Sequence, residues 1–369
     1  MIESTTFVGL DVHKESIEIA LAPAGGSEVR SYGRIAGDLD AVDKAIRSLR
    51  ERHRHLNFVY EAGPCGYALY RHLTRRGFPC AVVAPSMIPK RPGDRIKTDR
   101  RDALSLARAY RAGDIKSVYI PGPEDEAIRD ISRAREDAVI SHKRARQQLA
   151  ALLLRQDIRY PGKRPWTQAH QRWLAAVKMP QPAQQIVFQE YLHAVDEAHQ
   201  RVERITEQLR LAAAAWRMAP VVEALQALRG VSLICAASLV SELGDLTRFD
   251  NARHLMAFLG MVPRQYSSGP HQRLGSITKT GNSHARRMLV EAAWAYRFPA
   301  RISRGLRDRQ ENQQQKVCEI AWKAQVRLCR KYRRLLAKGK LKQVITTAIA
   351  RELAGFAWAI AKEVTPTQK

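Results

Sequence analysis

Four acidic residues in the first third of the chain have the types and positions expected of a phosphoryl-transfer site. They are Asp11 within FVGLDV, Glu61 at the end of FVYE, and Asp99 and Asp102 within KTDRRDAL. Burying a carboxylate such as Asp11 inside an apolar strand costs several kcal/mol unless a partner compensates it. The sequence therefore indicates either a cation beside Asp11 or a strand that bends away from the core there.

Carboxylates that converge from separate elements repel one another and raise each other's pKa, and Mg²⁺ relieves this repulsion because it prefers oxygen ligands and keeps bound water. Two such ions about 4 Å apart can activate a nucleophile and stabilise a leaving oxygen. Taken singly, Asp99 or Asp102 would be interpreted as a helix cap, and Glu61 as a solvated acid at a strand end. Taken together, we expect Asp11, Glu61, Asp99 and Asp102 to hold Mg²⁺.

The elements that must position these acids follow from the hydrophobic pattern. Apolar runs bounded by turn residues predict strands at TTFVGLDVH, SIEIALAPAGG, SEVRSYGRIAG, NFVYEAGP and PCAVVAP. Helices are predicted at DLDAVDKAIRSLRERH, with Asp38 or Asp40 as its cap, at GYALYRHLTRRG, and at RRDALSLARAYRAG. The order βββαβαβα predicts a mixed sheet with the first strand central. Glu61 then lies beside Asp11, and the last helix presents Asp99 and Asp102 to both.

The composition points to a polyanionic partner. The chain has 369 residues, with 62 Lys and Arg against 36 Asp and Glu, and a net charge of +26. This excess favours nucleic acid first and a membrane surface second. No apolar run approaches the ~20 residues of a spanning helix, and no secretion signal is visible. The five scattered cysteines form no C-x-x-C pair, which argues against a disulfide framework or zinc ribbon and favours a reducing cytoplasm.

One nucleotide-binding class is disfavoured by the first turn. VGLDVHKESIEIAL is similar to the opening of actin-like and sugar-kinase-like ATPases, whose first hairpin lets backbone amides approach a phosphate. Here the turn is DVHKES, with no glycine to allow that approach, and no later glycine-rich adenosine loop is evident.

The remaining two thirds of the chain predict helices. Residues 122–220 contain two long helical stretches separated by RYPGKRPWTQ, which predicts an antiparallel hairpin or coiled coil for self-association, or an ordinary helical module. Residues 221–369 begin with a segment similar to a helix-hairpin-helix, with RGVSLI as its turn. A loop rich in Gly, Ser and Arg follows, and the end is helical and strongly basic. We therefore predict domains at 1–121, 122–220 and 221–369.

Two sets of motifs carry a resemblance to a known family. GLDVHK, YEAGPCGY and KTDRRDALSLARAYRAG resemble the RuvC-like DEDD domain of bacterial transposases of the insertion sequence 110 family, which Piv-type DNA invertases share. LRGVSLICAASLVSELGDLTRFDNARHLMAFLGMVPRQYSSG, followed by GSITKTGNSHARRMLVEAAW, resembles the C-terminal transposase domain of that family. The resemblance implies an α/β RNase H-like first domain, a helical middle and a mainly α-helical C-terminal domain.

The resemblance also implies a nucleophile. Family members use the DEDD acids with a serine that links covalently to a DNA phosphate. The family pattern P-x-x-x-x-S-G runs here from Pro263 to Gly269 and places that serine at Ser268. Ser267 is an immediate competitor, and Ser276 and Ser283 are weaker ones. Without the resemblance, Ser-Ser-Gly would be interpreted as a flexible turn.

The partners implied by the resemblance are donor and target DNA and a noncoding guide RNA encoded beside the transposase gene. The net charge suits both nucleic acids. Five cations near the serine are expected to contact phosphates or to hold backbone: Arg264, Arg273, Lys279, Arg286 and Arg287. The serine would act in the same or another subunit of a dimer or tetramer, in a bacterial cytoplasm beside the nucleoid and without a membrane.

Two other functions remain open from the sequence. A RuvC-like nuclease would use the four acids and water on branched DNA, with no serine and no covalent adduct. A non-catalytic basic scaffold that binds RNA or DNA would have a degenerate nuclease fold. The presence of acids at all four positions disfavours this alternative.

Overall fold

The structure is a computed structural model, and it describes residues 5–26, 28–89, 98–268 and 271–367, with side chains at 267, 268, 271 and 272 outside the description. The chain divides into two units, residues 1–120 and residues 121–369. The predicted three-domain division stays a prediction, and each unit is described separately below.

The first unit is an α/β domain. Its strands are β1 (Thr5–Val12), β2 (Ser16–Pro23), β3 (Arg30–Ala36), β4 (His55–Glu61) and β5 (Cys80–Val83). Its helices are α1 (Leu39–Arg50), α2 (Ala68–Arg75) and α3 (Asp99–Arg111). Asp38 is the residue that caps α1, and its carboxylate accepts the amide of Ala41 at 2.7 Å. The predicted order of elements is therefore confirmed.

The described residues of this unit form a five-stranded sheet in the order β3-β2-β1-β4-β5. β1 pairs antiparallel with β2 and parallel with β4, which confirms the predicted mixed sheet and the central place of β1. Val8 and Leu10 of β1 pack in the core with residues of α1 and α2. Small side chains of β2, Ala20 and Ala22, are buried with Ala103 and Ala107 of α3. Both faces of β1 are thus covered, which explains its near-continuous burial.

The second unit is mainly helical. Its helices are α4 (Pro123–Arg155), α5 (Gln168–Ala176), α6 (Pro182–Ala215), α7 (Ala219–Leu225), α8 (Leu233–Leu243), α9 (Ala252–Phe258), α10 (Ser283–Ala293), α11 (Arg304–Gln310), α12 (Gln315–Ala337) and α13 (Lys342–Ala361). Its strands are β6 (Pro263–Ser268) and β7 (His271–Ile277), which pair antiparallel.

Helices α4 and α6 run antiparallel. Arg135 of α4 donates to Thr206 of α6 at 2.7 Å, and nearer the far ends His142 lies against His199 with ring centroids 5.2 Å apart. This agrees with the predicted helical hairpin. A coiled-coil role in self-association stays a prediction.

Helix α13 is, by length and composition, long and apolar enough to cross a membrane, contrary to the prediction that no apolar run approaches that length. Half of its apolar window is buried inside the second unit, where Ile345, Ile349 and Leu353 belong to the main core. The buried side of this helix belongs to the core of the unit, which explains the apolar residues on that side.

Candidate active site

A row of charged side chains crosses the sheet at the end of β1. Asp11 of β1 pairs with Glu18 of β2, and Glu18 pairs with Arg34 of β3. Paired residues on neighbouring strands point to the same face, so the three side chains line up. Arg34 Nε lies 3.5 Å from Glu18 Oε2, and Ser31 donates to Glu18 Oε1 at 3.3 Å. The buried carboxylate of Glu18 is thereby compensated inside the sheet.

Gly9 lets α3 approach this same face. A Cβ on Gly9 would lie 2.4 Å from the carbonyl oxygen of Ala103 and 2.5 Å from the amide nitrogen of Ala107, which no real Cβ allows. Asp11 is two residues further along the strand, on the same face as Gly9. Asp99 is four residues, or about one turn, before Ala103 on the helix. The close approach at Gly9 therefore brings the start of α3 over Asp11.

Asp11, His13 and Asp99 form the resulting cluster. His13 Nε2 lies 3.1 Å from Asp11 Oδ2 and 3.7 Å from Asp99 Oδ1. One ligand atom from each of the three residues lies within 4.8 Å of the others. Arg34 donates to the second oxygen of Asp99 at 2.6 Å. Asp99 is not the cap of α3, because Thr98 takes that role by accepting the amide of Arg101.

Burial of Asp11 raises the pKa of its carboxyl group. The nearby His13 opposes that rise, and the negative charges of Asp102 and Asp99 add to it. A cation binds favourably beside such a carboxylate. It compensates the free-energy cost of burying the negative charge and the repulsion between neighbouring carboxylates.

Glu61 and Asp102 lie near this cluster without joining it. Glu61 follows Tyr60, which pairs with Leu10, so Glu61 and Asp11 emerge at the same edge of two adjacent parallel strands. Asp102 lies in the first turn of α3, and its charge acts on Asp11. Among the residues that the structure describes, neither belongs to a group of three metal-ligating side chains within 4.8 Å. Their metal-binding role stays a prediction.

The donors present at the cluster suit a divalent cation. Two carboxylates and one imidazole are ligands that Mg²⁺, Mn²⁺ or Zn²⁺ accept in proteins, with the oxygen donors favouring the harder ions. Arg34 is a competing cation, since it already occupies one oxygen of Asp99. Asp11 and Asp99, with His13 beside them, are therefore the residues that could hold the ion.

Three residues of the site, His13, Arg34 and Gly9, were not predicted from the sequence. His13 had a visible signal, because it follows Asp11 by two residues at the end of a strand. Arg34 can be predicted as a member of the site only when β3 is known to lie beside β2. Its contact partner Asp99 is 65 residues away in the sequence. Gly9 has no local signal, because no turn or left-handed backbone requires it.

The predicted nucleophile ends a strand in the second unit. Ser268 is the last residue of β6 and pairs with His271, the first residue of β7. The side chains of Ser268 and Ser267 lie outside the described part of the structure, as does Gly269. Of the weaker candidates, Ser276 is an exposed residue of β7 and Ser283 begins α10. The choice of Ser268 as nucleophile therefore stays a prediction.

The five predicted phosphate-contacting cations fall into two groups. Arg264, Arg273 and Lys279 are exposed, on β6, on β7 and just after β7. Arg286 instead donates through one nitrogen to the carbonyl oxygens of Leu259 at 2.8 Å and Thr280 at 3.0 Å.

Arg287, the last of the five, forms an ion pair with Glu136. Arg286 ties the chain before β6 to the chain after β7, which is the backbone-holding role that the sequence left open. Phosphate contact by any of the five stays a prediction.

A buried carboxylate supports the start of α10. Glu242 accepts two hydrogen bonds from Arg133, at 2.7 and 2.9 Å, and one from Asn282 at 2.6 Å. Asn282 also caps α10 by accepting the amide of Ala285. Burial alone would raise the pKa of Glu242, but these hydrogen bonds outweigh it and the pKa is lowered. The first turn of α10 is thus held by a charged hydrogen-bond network within the second unit.

Comparison with known proteins assigns the chain to a family. Residues 222–305 match the family described as Transposase IS116/IS110/IS902, and residues 8–156 match the DEDD transposase domain of IS110 elements. The chain is 46% identical to the "Putative transposase y4qE" of Sinorhizobium fredii over 98% of its own length and 90% of that protein. The chain belongs to the IS116/IS110/IS902 family of transposases.

A second relative, which matches this chain over most of the length of both proteins, supports the family assignment. The transposase for insertion sequence element IS1533 of Leptospira borgpetersenii is 33% identical over 90% of this chain and 97% of that protein. The IS110-family assignment makes the chain a DNA-cutting and rejoining enzyme, and its general reaction class is phosphoryl transfer. The DEDD domain and the Asp11–His13–Asp99 cluster also agree with the use of a divalent metal.

Proposed function

We propose that this transposase cuts and rejoins DNA through a covalent seryl-phosphate at Ser268, assisted by Mg²⁺ at the acidic cluster of the first unit. The observation that carries the metal part of the proposal is the convergence of Asp11, His13 and Asp99 within 4.8 Å at the end of the central strand. The choice of Ser268 rests on the P-x-x-x-x-S-G pattern from Pro263 to Gly269. Without a cation this arrangement is unfavourable, because burial and neighbouring charges already raise the pKa of Asp11.

The proposed step exchanges one phosphoester bond for another. The Oγ of Ser268 forms a bond to the phosphorus, the bond from phosphorus to a DNA 3′-oxygen breaks, and the hydroxyl proton of serine leaves as the 3′-oxygen gains one. A new 3′-hydroxyl then attacks the seryl-phosphate and releases Ser268. The number of phosphoester bonds is conserved, so no nucleotide cofactor is required.

The residues of the first unit have distinct parts in this proposal. Asp11 and Asp99 would hold the cation, with Glu61 and Asp102 at the same edge of the sheet. When bound, Mg²⁺ would supply stabilisation of the negative charge that develops on the phosphate and leaving oxygen. His13 holds Asp11 in place, and Arg34 donates to one oxygen of Asp99, where it competes with the cation.

We further propose that a noncoding guide RNA, paired with donor and target DNA, supplies the sequence specificity, and that a dimer or tetramer coordinates the strands. The support is the net charge of +26, which favours contacts with the phosphates of both RNA and DNA. Purifying the full chain from cells that carry the DNA flanking its gene, and sequencing the bound RNA, tests this part. Recovery of no enriched flanking transcript would contradict it.

The covalent step is tested with end-labelled DNA of the insertion site and a denaturing gel. Wild-type protein and Ser267→Ala should give a protein–DNA adduct that protease removes, whereas Ser268→Ala should give none while still binding DNA. Adduct formation by Ser268→Ala with loss in Ser267→Ala would move the nucleophile to Ser267. Cleavage without any adduct in the wild type would instead indicate a water-using nuclease, and cleavage that survives EDTA would refute the metal.

A further inference from the structure

A basic groove lies between α12 and α13 of the second unit, two helices that carry none of the predicted site residues. Its volume is about 740 Å³, and its apolar lining comes from Trp322, Val326 and Phe356. The charged lining consists of one carboxylate, Glu352, and of five cations: Lys323, Arg327, Arg330, Lys331 and Arg334. A groove with this excess of positive charge attracts a polyanion.

The cations follow one face of α12. Positions 323, 327, 330 and 334 repeat at intervals of four and three residues, which places them on one side of the helix over roughly 16 Å. Lys323, Arg330 and Arg334 are exposed. Among the described residues, no carboxylate forms a salt bridge with any of these three side chains. They are therefore available to an external anion.

Glu352 organises the other two cations. Its carboxylate accepts Arg327 Nε at 2.7 Å and also pairs with Lys331. One carboxylate shared by two cations leaves that triad with a net positive charge and holds both side chains at the base of the groove. The surface is thus built from a fixed pair of cations and three free ones, not from isolated solvated side chains.

Trp322 gives the groove a second kind of contact. Trp322 is 43% exposed, whereas Val317, Leu328 and Tyr332 on the opposite side of the same amphipathic helix are buried. Unpaired bases stack on exposed aromatic rings that lie beside cations, because the ring contacts the base and the cations contact the flanking phosphates. Paired bases offer no free face for such stacking.

We propose that this groove binds single-stranded DNA, with an unpaired base on Trp322 and successive phosphates against Lys323, Arg330 and Arg334. The inference rests on the DNA-acting function of the family and does not depend on Ser268. A transposase that cuts and exchanges strands necessarily exposes unpaired DNA. A basic segment of a second copy is a poor occupant of this groove, because five cations and only one carboxylate line it.

The test measures binding of a fluorescent oligothymidylate of roughly 12 nucleotides to the full chain in EDTA, by anisotropy. Trp322→Ala should weaken binding at least about fivefold, and Trp322→Phe should retain most of the affinity. A triple variant, Lys323→Gln, Arg330→Gln and Arg334→Gln, should weaken binding at least about tenfold and lower its salt dependence.

The matched control is the triple variant Arg172→Gln, Arg201→Gln and Arg204→Gln, which removes the same charge from exposed positions outside the groove. It should change the affinity by less than about twofold. Equal losses in both triple variants, or an unchanged affinity in Trp322→Ala, would overturn the proposal.

Two competitors decide the occupant. Duplex DNA of the same length should compete poorly, and oligouridylate should not compete better than oligothymidylate. Preferred binding of duplex or of RNA, with the same dependence on Trp322, would overturn the assignment to single-stranded DNA. If Ser268→Ala forms no covalent adduct but still binds the oligothymidylate, the proposal for the groove stands independently of the proposal for the nucleophile.

Discussion

Gly9 of β1 lies so close to Ala103 of α3 that a Cβ on Gly9 would stand 2.4 Å from the Ala103 carbonyl oxygen. This contact fixes the distance between the sheet and the helix. Asp11 and Asp99 then meet, because they lie on the same side of that contact, two residues along the strand and four along the helix. The geometry of the candidate metal site is thus set by a glycine that has no chemistry of its own.

Gly9→Ala should separate α3 from the sheet. The added methyl group meets backbone atoms, which cannot move aside as a flexible side chain can, so we expect a loss of about 1–3 kcal/mol in the free energy of unfolding and a loss of DNA cleavage. Chemical denaturation measures the first. Gly25→Ala is the matched control, since nothing lies within 4 Å of its added Cβ. Equal stability of the two variants would contradict the packing argument.

Asp11→Asn should abolish cleavage and yet stabilise the metal-free protein. The folded-state pKa of Asp11 is raised, so ionising it in the folded protein costs free energy, and stability falls as pH rises from the ordinary carboxyl range through the folded pKa. Thermal unfolding in EDTA at neutral pH should show a higher midpoint for Asp11→Asn. The control variant Asp114→Asn, which changes an exposed residue, should leave the unfolding midpoint unchanged. A lower midpoint for Asp11→Asn would show that Asp11 is a structural partner of His13.

Arg34→Gln should strengthen the binding of a divalent cation. Arg34 occupies one oxygen of Asp99 and places a positive charge beside the cluster. Removing it should raise the affinity for Mn²⁺ by on the order of two- to fivefold, because the site is partly solvated. Calorimetric titration with Mn²⁺ measures this. Arg30→Gln, on the same strand, is the control, and weaker binding by Arg34→Gln would assign Arg34 to orienting Asp99.

Arg286→Met should loosen the base of the β6–β7 hairpin. Its guanidinium joins the carbonyls of Leu259 and Thr280, so its loss removes two charge-assisted hydrogen bonds and should cost about 1–3 kcal/mol. Hydrogen exchange should speed up at the amides of Thr278 and Lys279, which bond across this base. Arg264→Gln removes the same charge from an exposed position and should leave exchange unchanged.

Glu242→Gln should make the second unit less stable in a pH-dependent way. The pKa of Glu242 is lowered in the folded state, so its contribution is present above the ordinary carboxyl range and is lost as pH falls through the folded pKa. We expect a loss of about 1–3 kcal/mol near neutral pH that shrinks towards acid pH. Denaturation curves at several pH values measure it, and a difference independent of pH would contradict the ionic origin.

The sequence by itself determined the order of strands and helices in the first unit, the central place of β1 and the strand-end position of Glu61. These features depend on local periodicity, turn residues and caps, which are written within a few neighbouring residues. It also determined the excess of positive charge. The motifs at Asp11, Asp99 and the Ser268 segment further identified the family to which the comparisons assign the chain.

Only the tertiary structure decided which side chains meet. Arg34 contacts Asp99 across 65 residues, and Arg286 closes the base of a hairpin through two backbone carbonyls. The role of Gly9 exists only where a helix from far along the chain packs against it. Such contacts depend on how closely two packed elements approach, and no pattern within one segment encodes that distance.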